Sequence, residues 1–566
     1  MKEEDIIASG DARVGDSAWR ISFALLGCVF FSYCFSVVSF YLGLTVSRFV
    51  FPLATIAGLL LGSFVVGTRT RCRSYGWIVA VLAVMAVSIL AAGLIYDHSY
   101  DGIRYHQEIV GALLSGWNPL SGDAETRDLG LWAVHYAKAV EIAEAALSCF
   151  TGRIETGKAV NIIAAASVAF GVYAFLRDAR GSVFLKDCDM PRLGRRRSIC
   201  LTLAVMANPV LVSQLPTFYI DFYKYLYLIL ILLAFYLVTS REGCRRTAGY
   251  ILLGMSLILA MGTKFNMFAE AALWMVLAFI WLCSVRDFVA LKRIFLVSVW
   301  ALVAGVILAW HPYITNMTGW GHPLYPLMGD APVDIMGYNT PEMYEGSGRI
   351  YNFFKSLTAV SLPVYDQRAG GFTVLMPLIL VLCAAAGIVM RKKLKGLVWY
   401  IAGCVLLTCF LYEQSWWARY NCQLWLVGAV FLVASQYSVR ARKTGVAISV
   451  LMVLAGAATA ATSLATEVKR GSYLRYLFDA CREEQVTVYG EFPVHIRRHF
   501  DEEGIDYIVS DTVPDRPGHQ TLYFYIDCEP LISLPTVRIE KIDARLGRWH
   551  ESVDRYRYPS TATDEQ

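Results

Sequence analysis

Thirteen runs of mostly apolar residues, each near the length that crosses a bilayer, recur along this 566-residue chain. A helix needs roughly 17–25 apolar residues to span the hydrocarbon core. The runs fall near 21–42, 49–67, 76–95, 158–176, 199–215, 225–240, 247–263, 267–285, 294–310, 373–390, 397–412, 421–437 and 444–464. With 56% hydrophobic and 17% charged residues, the composition is that of a multi-pass membrane protein rather than a soluble enzyme.

The net charge of +5 is small, so where the charges sit matters more than their sum. Every second loop is basic: "TRTRCRS" (68–74), 177–198, "REGCRR" (241–246), "RDFVALKR" (286–293), "RKKLK" (391–395) and "RARK" (440–443). These loops are expected in the cytoplasm. Residues 1–20 then lie inside and the tail, 465–566, outside. The N-terminal stretch lacks a cationic segment, short apolar core and small-residue cleavage site, so no cleaved signal peptide is expected. The first span serves as the insertion signal.

"HYAKAVEIAEAALSCF" (135–150) tests this layout. It carries Lys138, Glu141 and Glu144, which are costly at membrane depth. Counting it as a span would also move the basic loop 177–198 outside. It reads instead as an amphipathic helix at the outer surface. "DGIRYHQEIVGALLSG" (101–116) reads as a similar helix, ended by Gly116 and by Pro119. The outer side thus collects loops 96–157, 216–224, 311–372 and 412–423. In the tail, "VTVYG" (486–490), "IDYIVS" (505–510), "LYFYID" (522–527) and "TVRIEKI" (536–542) read as strands, and "PVHIRRHFDEEG" (493–504) as a helix. The expected fold is an all-α polytopic membrane domain of about thirteen helices over 21–464, followed by a small extracytoplasmic α/β domain over 465–566. The fourteen cysteines are scattered, mostly in apolar runs, and read as small buried hydrophobes. Cys481 and Cys528 could pair if the tail lies in an oxidising compartment.

Titratable residues gather on the outer side. "YDHSYDGIRYH" (96–106) holds Asp97, His98, Asp101 and His106 at the mouth of a span. A carboxylate there could act as a general base toward a hydroxyl, with Arg104 and His106 near it if 101–114 is helical. On charge alone, solvated residues beside a helix end are the simpler reading. Asp221 in "FYIDFYKY", beside Tyr219, Tyr223 and Lys224, could bind a sugar hydroxyl, or be an acid within an interfacial aromatic belt. Arg419 in "WWARY", beside Trp416, Trp417 and Tyr420, could grip phosphate in bidentate fashion, or snorkel to the interface. Lys264 lies close to membrane depth, where a cation needs a partner such as an anionic headgroup. Lys138 is a further outer cation, while His135, His311 and His322 carry little signal singly. No phosphate-cradling or dinucleotide glycine motif appears, and no HExxH or zinc-ligand spacing.

The ordered segments "YDGIRYH…GWNP" (100–119), "HYAKAVEI" (135–142), "TGRIETGKAVN" (151–161), "ANPVLVSQLPTFYID" (207–221), "GTKFN" (262–266), "PYITNMTGWGHPLYPL" (312–327), "GGF" (370–372) and "WWARYNCQLW" (416–425) sit at outer membrane edges. In their order and placement the chain resembles the GT-C superfamily of polytopic glycosyltransferases, whose relatives include protein O-mannosyltransferases and lipid A aminoarabinose transferases. The resemblance implies a multi-pass enzyme of the bacterial inner membrane, with its active site and C-terminus outside. It implies an inverting transfer from a polyprenyl-phosphate sugar to a glycan, lipid or protein acceptor of the cell envelope. Asp101 takes the place of the family's catalytic first-loop acid, with Asp97 as second candidate, and Asp221 that of the second-loop acid. Tyr105, His106, His135, Lys138, Lys224, Lys264, Trp417, Arg419 and Tyr420 are the expected substrate-binding residues. A divalent metal, Mg or Mn, stays open, with Asp97, Asp101 and His106 as available ligands. The chain departs from the family in having three spans, not one, before this loop. It also lacks the Asp-Glu dipeptide of protein O-mannosyltransferases. A lipid-linked sugar flippase and a ligase or polymerase using polyprenyl-diphosphate glycans are the alternatives. The flippase would call for inverted repeats and mid-membrane ionisable groups, which the sequence does not display.

Overall fold

The computed structural model describes residues 3–547 apart from 66–74, 122–128, 189, 191, 241, 335–338, 360–364, 367–369, 411–413, 484, 491, 513–516, 526 and 527. Among these residues, helices form at each of the thirteen apolar runs. The first are α1 (Glu3–Tyr41), α2 (Val50–Val65) and α3 (Gly76–Gly93). A π-turn at Gly102–His106 leads into α4 (Gln107–Leu114), then α5 (Leu131–His135), α6 (Ala139–Thr151) and α7 (Ala159–Asp178). Next come α8 (Arg195–Met206), α9 (Pro209–Gln214), α10 (Tyr223–Val238), α11 (Gly243–Thr263), α12 (Phe265–Ser284), α13 (Phe288–Leu308), α14 (Trp310–Trp320) and α15 (Arg349–Thr358). The bundle closes with α16 (Met376–Met390), α17 (Gly396–Cys409), α18 (Trp425–Gln436) and α19 (Arg442–Cys481).

Seven helical segments, on α1, α3, α7, α11, α12, α13 and α19, are long and apolar enough to cross a membrane. The chain is a multi-pass membrane protein by that measure. Helices α2, α10, α16 and α17 are apolar but shorter. Helix α1 begins at Glu3, so residues expected as a separate polar N-terminus are helical and run into the span candidate Gly15–Tyr41. α2 lies tightly on α1 through "GLLLG": a Cβ at Gly58 would come within 2.5 Å of the Ala24 carbonyl oxygen, and one at Gly62 within 2.6 Å of that of Arg20. Small residues four apart let membrane helices approach in this way.

Helix α6 is not the surface helix expected over 135–150. It starts at Ala139, and Val140 through Ser148 are all buried, Glu141 and Glu144 included. Its alanines let α1, α2 and α4 close around it. At 13 residues it rises about 20 Å, too short to span. The π-turn and α4 do occupy 102–114, and Gly116 takes the left-handed conformation expected of a terminator.

Helix α19 is 40 residues long, so it rises about 60 Å, twice the hydrocarbon thickness. The expected boundary at 465 therefore falls inside a continuous helix. Its last turns enter the tail domain, where Tyr473, Leu477 and Phe478 pack with Val488, Ile496, Phe500 and Phe524. Tyr96 and Ile103 of the first loop join that same core. The domain comprises β1 (Val486–Tyr489), α20 (Val494–Glu503), β2 (Tyr507–Ser510), β3 (His519–Tyr525), β4 (Cys528–Pro535) and α21 (Thr536–Leu546). The sheet order is β2-β1-β4-β3, with β1 and β2 parallel and the other pairs antiparallel. "TVRIEKI", expected as a strand, opens α21, because Ile539, Ile542 and Leu546 recur at helical spacing on one buried face while Val537 is exposed. The preceding "CEPLISLP" supplies the strand instead. Cys481 is a free, buried thiol, and the side chain of Cys528 lies outside the described residues.

The first loop is clamped between the two domains. His495 and His499, one turn apart on α20, reach Glu108 at 2.5 Å and Glu155 at 3.3 Å. His98 is buried edge-on to Tyr525 at 5.0 Å, with Arg470 and Glu467 of α19 nearby. Burial first, and the Arg470 charge second, push its pKa down to about 3. An unfolded histidine titrates near 6.5, so only the unfolded chain gains the proton between the two values. Stability is then full above pH 6.5 and falls below it, by up to about 1.4 kcal/mol per pH unit. Melting curves between pH 7.5 and 5 should show this decline in the native protein and a flatter profile in His98→Gln. Equal slopes would contradict the assignment.

Candidate functional site

Four interruptions in helical structure meet at one end of the bundle. The first is the loop 96–101 with its π-turn, a feature that often marks functional sites. Asp97 shapes it. Its Oδ1 accepts the Ser99 N–H at 2.8 Å and its Oδ2 the Phe218 N–H at 2.7 Å, which ties this loop to the segment between α9 and α10. Gly102 abuts this staple, where a Cβ would collide with the Asp97 carboxylate and the Ser99 hydroxyl. Gly102→Ala is therefore expected to cost about 1–3 kcal/mol of stability and to displace the adjacent Asp101. A thermal shift checks this, and an unchanged melting midpoint would remove the constraint.

The second interruption follows Asn208, whose side chain accepts the Val210 N–H at 3.0 Å and caps α9 with Pro209 at its first position. Gln214 then accepts the Phe222 N–H through Oε1 at 3.1 Å, fixing the turn that presents Asp221. The third is Lys264, extended between α11 and α12. The fourth is the 3-10 segment Ala418–Leu424 ahead of α18, which presents Arg419.

Arg419 joins these pieces. Its Nη1 lies 2.6 Å from Asp101 Oδ2 and 3.5 Å from Asp221 Oδ2, and its Nε lies 3.5 Å from Asp366 Oδ1. Lys264 Nζ holds Asp221 Oδ1 at 2.6 Å. The guanidinium carbon sits 4.2 Å over the Trp417 ring, 5.4 Å from Tyr219 and 5.5 Å from Tyr420. Three carboxylates against two cations leave the cluster one negative charge in excess. Arg419 and Asp221 are buried, whereas Asp101 and Asp366 keep 14% and 20% of their side chains exposed, so the open edge lies at those two acids. Burial pushes the Asp221 carboxyl up, but Lys264 and Arg419 outweigh it and hold it down at about 2. Burial works against the Arg419 charge, and Asp101 and Asp221 overcome that to hold it firmly protonated.

Other expected residues fall around this centre or away from it. The Tyr105 hydroxyl is 3.5 Å from Asp101 Oδ2, and the Asp101 N–H reaches the Tyr219 hydroxyl at 3.3 Å. Lys224 pairs with Glu270 at 3.1 Å and donates to the Tyr420 carbonyl, so it braces the floor. His106 faces Glu141 at 2.7 Å rather than Asp101, and Arg104 lies over the Tyr100 ring. The expected neighbours of Asp101 on its own helix are thus engaged elsewhere. Its cation comes from a residue 318 positions later. Lys138 donates to the Val134 and Tyr136 carbonyls at 3.0 and 2.5 Å and meets His311 Nδ1 at 3.2 Å. Burial lowers its pKa to about 7. His135 hydrogen-bonds Asn316 at 2.8 Å beside the stacked rings of Trp320 and Tyr325. Among the described residues these two form a neighbouring cluster that makes no ion pair or hydrogen bond with Arg419 or Asp101. Asp97 and His106 have other partners: each Asp97 oxygen accepts a backbone N–H, and His106 Nδ1 faces Glu141. Among the described residues no group of three ligating side chains has metal-holding geometry.

Asp366 and Tyr219 were not among the expected site residues. Asp366 lies in the loop 311–372, which the sequence predicts to be outside, four residues before the "GGF" segment. That position was its only signal.

No protein-family model matches the chain, and no curated protein matches it. Among solved structures it is similar to ArnT from Cupriavidus metallidurans bound to undecaprenyl phosphate. The identity is 12% and the TM-score 0.45, over 77% of this chain and 86% of that one.

Proposed function

We propose that the chain is an inverting glycosyltransferase that takes a sugar from a polyprenyl phosphate, with Asp101 as the base and Arg419 as the phosphate clamp. The observation that carries this reading is the Arg419 bridge between Asp101 and Asp221, at the open edge of an aromatic-lined site where helices break. Arg419 neutralises Asp101 at 2.6 Å. A donor phosphate competes for the same guanidinium, for which a planar fork is well suited. Once Arg419 turns to the phosphate, Asp101 loses its cation and becomes the stronger base. It then takes the proton of an acceptor hydroxyl as that oxygen bonds to the anomeric carbon. The bond from that carbon to the phosphate oxygen breaks, and the electron pair leaves with the lipid phosphate. Arg419 and Lys264 stabilise the charge that develops there, so no general acid is required.

The alternation of basic loops supports thirteen spans and an outward-facing site. On that reading the bilayer supplies the donor, since nucleotide sugars do not reach that face. A flippase would move the same lipid unchanged. Proteoliposomes given a labelled polyprenyl-phosphate sugar and a cell-envelope acceptor fraction separate the two. The proposal predicts a glycosidic product and free polyprenyl phosphate. Transbilayer movement of intact donor, with neither product, would contradict it.

A further inference from the structure

A cavity of about 810 Å3 lies at the end of the bundle opposite Arg419. The helices fix its position. Asp221 precedes α10, while the cavity is lined by that helix from Ile229 to its far end and on to Ser240. Lys264 precedes α12 while the cavity meets Trp281–Val285. Its wall is mostly apolar, with Phe184, Leu233, Tyr236 and Trp281 among the larger side chains. Its rim carries Arg246 from α11, Arg293 from α13 and Lys395 at the start of α17. None of the three is ion-paired among the described residues. The nearby acid, Asp287, caps α13 by accepting the Ala290 N–H at 3.0 Å.

A cavity of this size offers an apolar occupant an extended lining to pack against. Its volume is within the roughly 300–1,000 Å3 of ligand pockets, and its apolar wall suits a hydrocarbon chain. The rim faces the basic loops, and cationic pockets between spans on such a face bind phosphate headgroups. We propose that this cavity holds one anionic phospholipid of the leaflet on the basic-loop side. Its chain fills the apolar lining and its phosphodiester lies among Arg246, Arg293 and Lys395. This site is distinct from the Arg419 cluster, and its occupant is not the sugar donor.

The test is native mass spectrometry of the full chain in neutral detergent, titrated with phosphatidylglycerol or phosphatidylcholine. Retention of one phosphatidylglycerol in preference to phosphatidylcholine is expected. The triple variant Arg246→Gln/Arg293→Gln/Lys395→Gln should weaken it about 100-fold. Ala278→Phe, which narrows the cavity from the α12 side and keeps the cations, should also weaken retention, and it decides the matter if the triple variant fails to fold. Unchanged phosphatidylglycerol binding in Ala278→Phe or in the folded triple variant would overturn the proposal. So would displacement of this lipid by polyprenyl phosphate in the Arg419→Gln protein, because that would make the cavity a donor site. Loss of donor turnover elsewhere leaves this result untouched, so the two proposals fail separately.

Discussion

Asp101→Asn is expected to lower sugar transfer by about 10²–10⁴-fold, the usual contribution of a positioned general base, while binding of polyprenyl phosphate survives. The amide is nearly the same size as the carboxylate and sits at the open edge of the cluster, so the fold should tolerate it. Asp221 and Asp366 still neutralise Arg419 in the variant. Binding of the lipid phosphate should tighten, because the carboxylate that holds Arg419 at 2.6 Å is gone. A base separates from a structural acid in this pairing of results: the rate falls while donor affinity holds or rises. Transfer at the native rate would remove Asp101 from the chemistry. Joint loss of binding and of folded protein would make it a structural acid. Turnover of labelled donor and equilibrium binding, measured on the same preparation, give both numbers.

Arg419→Gln should have the largest effect on stability. The guanidinium is buried and touches three carboxylates. Its removal leaves Asp221 buried with Lys264 alone. Breaking such a buried pair costs about 3–5 kcal/mol, visible as a lowered melting midpoint in detergent. Arg419→Lys separates charge from geometry. An ammonium restores one positive charge but cannot reproduce the fork that meets Asp101 and Asp366 through different nitrogens. It should recover much of the stability and little of the phosphate affinity. Full recovery of affinity would mean that charge alone attracts the lipid, and the clamp would not hold.

The positions of the helices were legible because apolar length is a local property. Each of the thirteen runs became helix, including the two that are interrupted, at Asn208–Pro209 and ahead of α18. Local reasoning failed where burial is decided by distant neighbours. "HYAKAVEIAEAALSCF" has the charges of a surface helix, yet Glu141 is buried against His106, a match no window of sequence displays. The tail's "TVRIEKI" carries apolar residues compatible with either period, and only the packing of Ile539 and Ile542 selects the helix. In the site, Asp101, Asp221, Lys264, Trp417, Arg419 and Tyr420 were each visible as residues at the ends of apolar runs. Their convergence was not, since Asp101 and Arg419 are separated by 318 positions. Asp97 read as a second catalytic candidate, and its two backbone bonds make it the residue that holds the loop in place.

A structure of the protein with polyprenyl phosphate bound tests the central claim most directly. The account predicts the phosphate against Arg419 and Lys264, with the 2.6 Å contact between Arg419 and Asp101 opened and Asp101 facing the space an acceptor would enter. A phosphate seated elsewhere, with the Arg419–Asp101 pair intact, would contradict it.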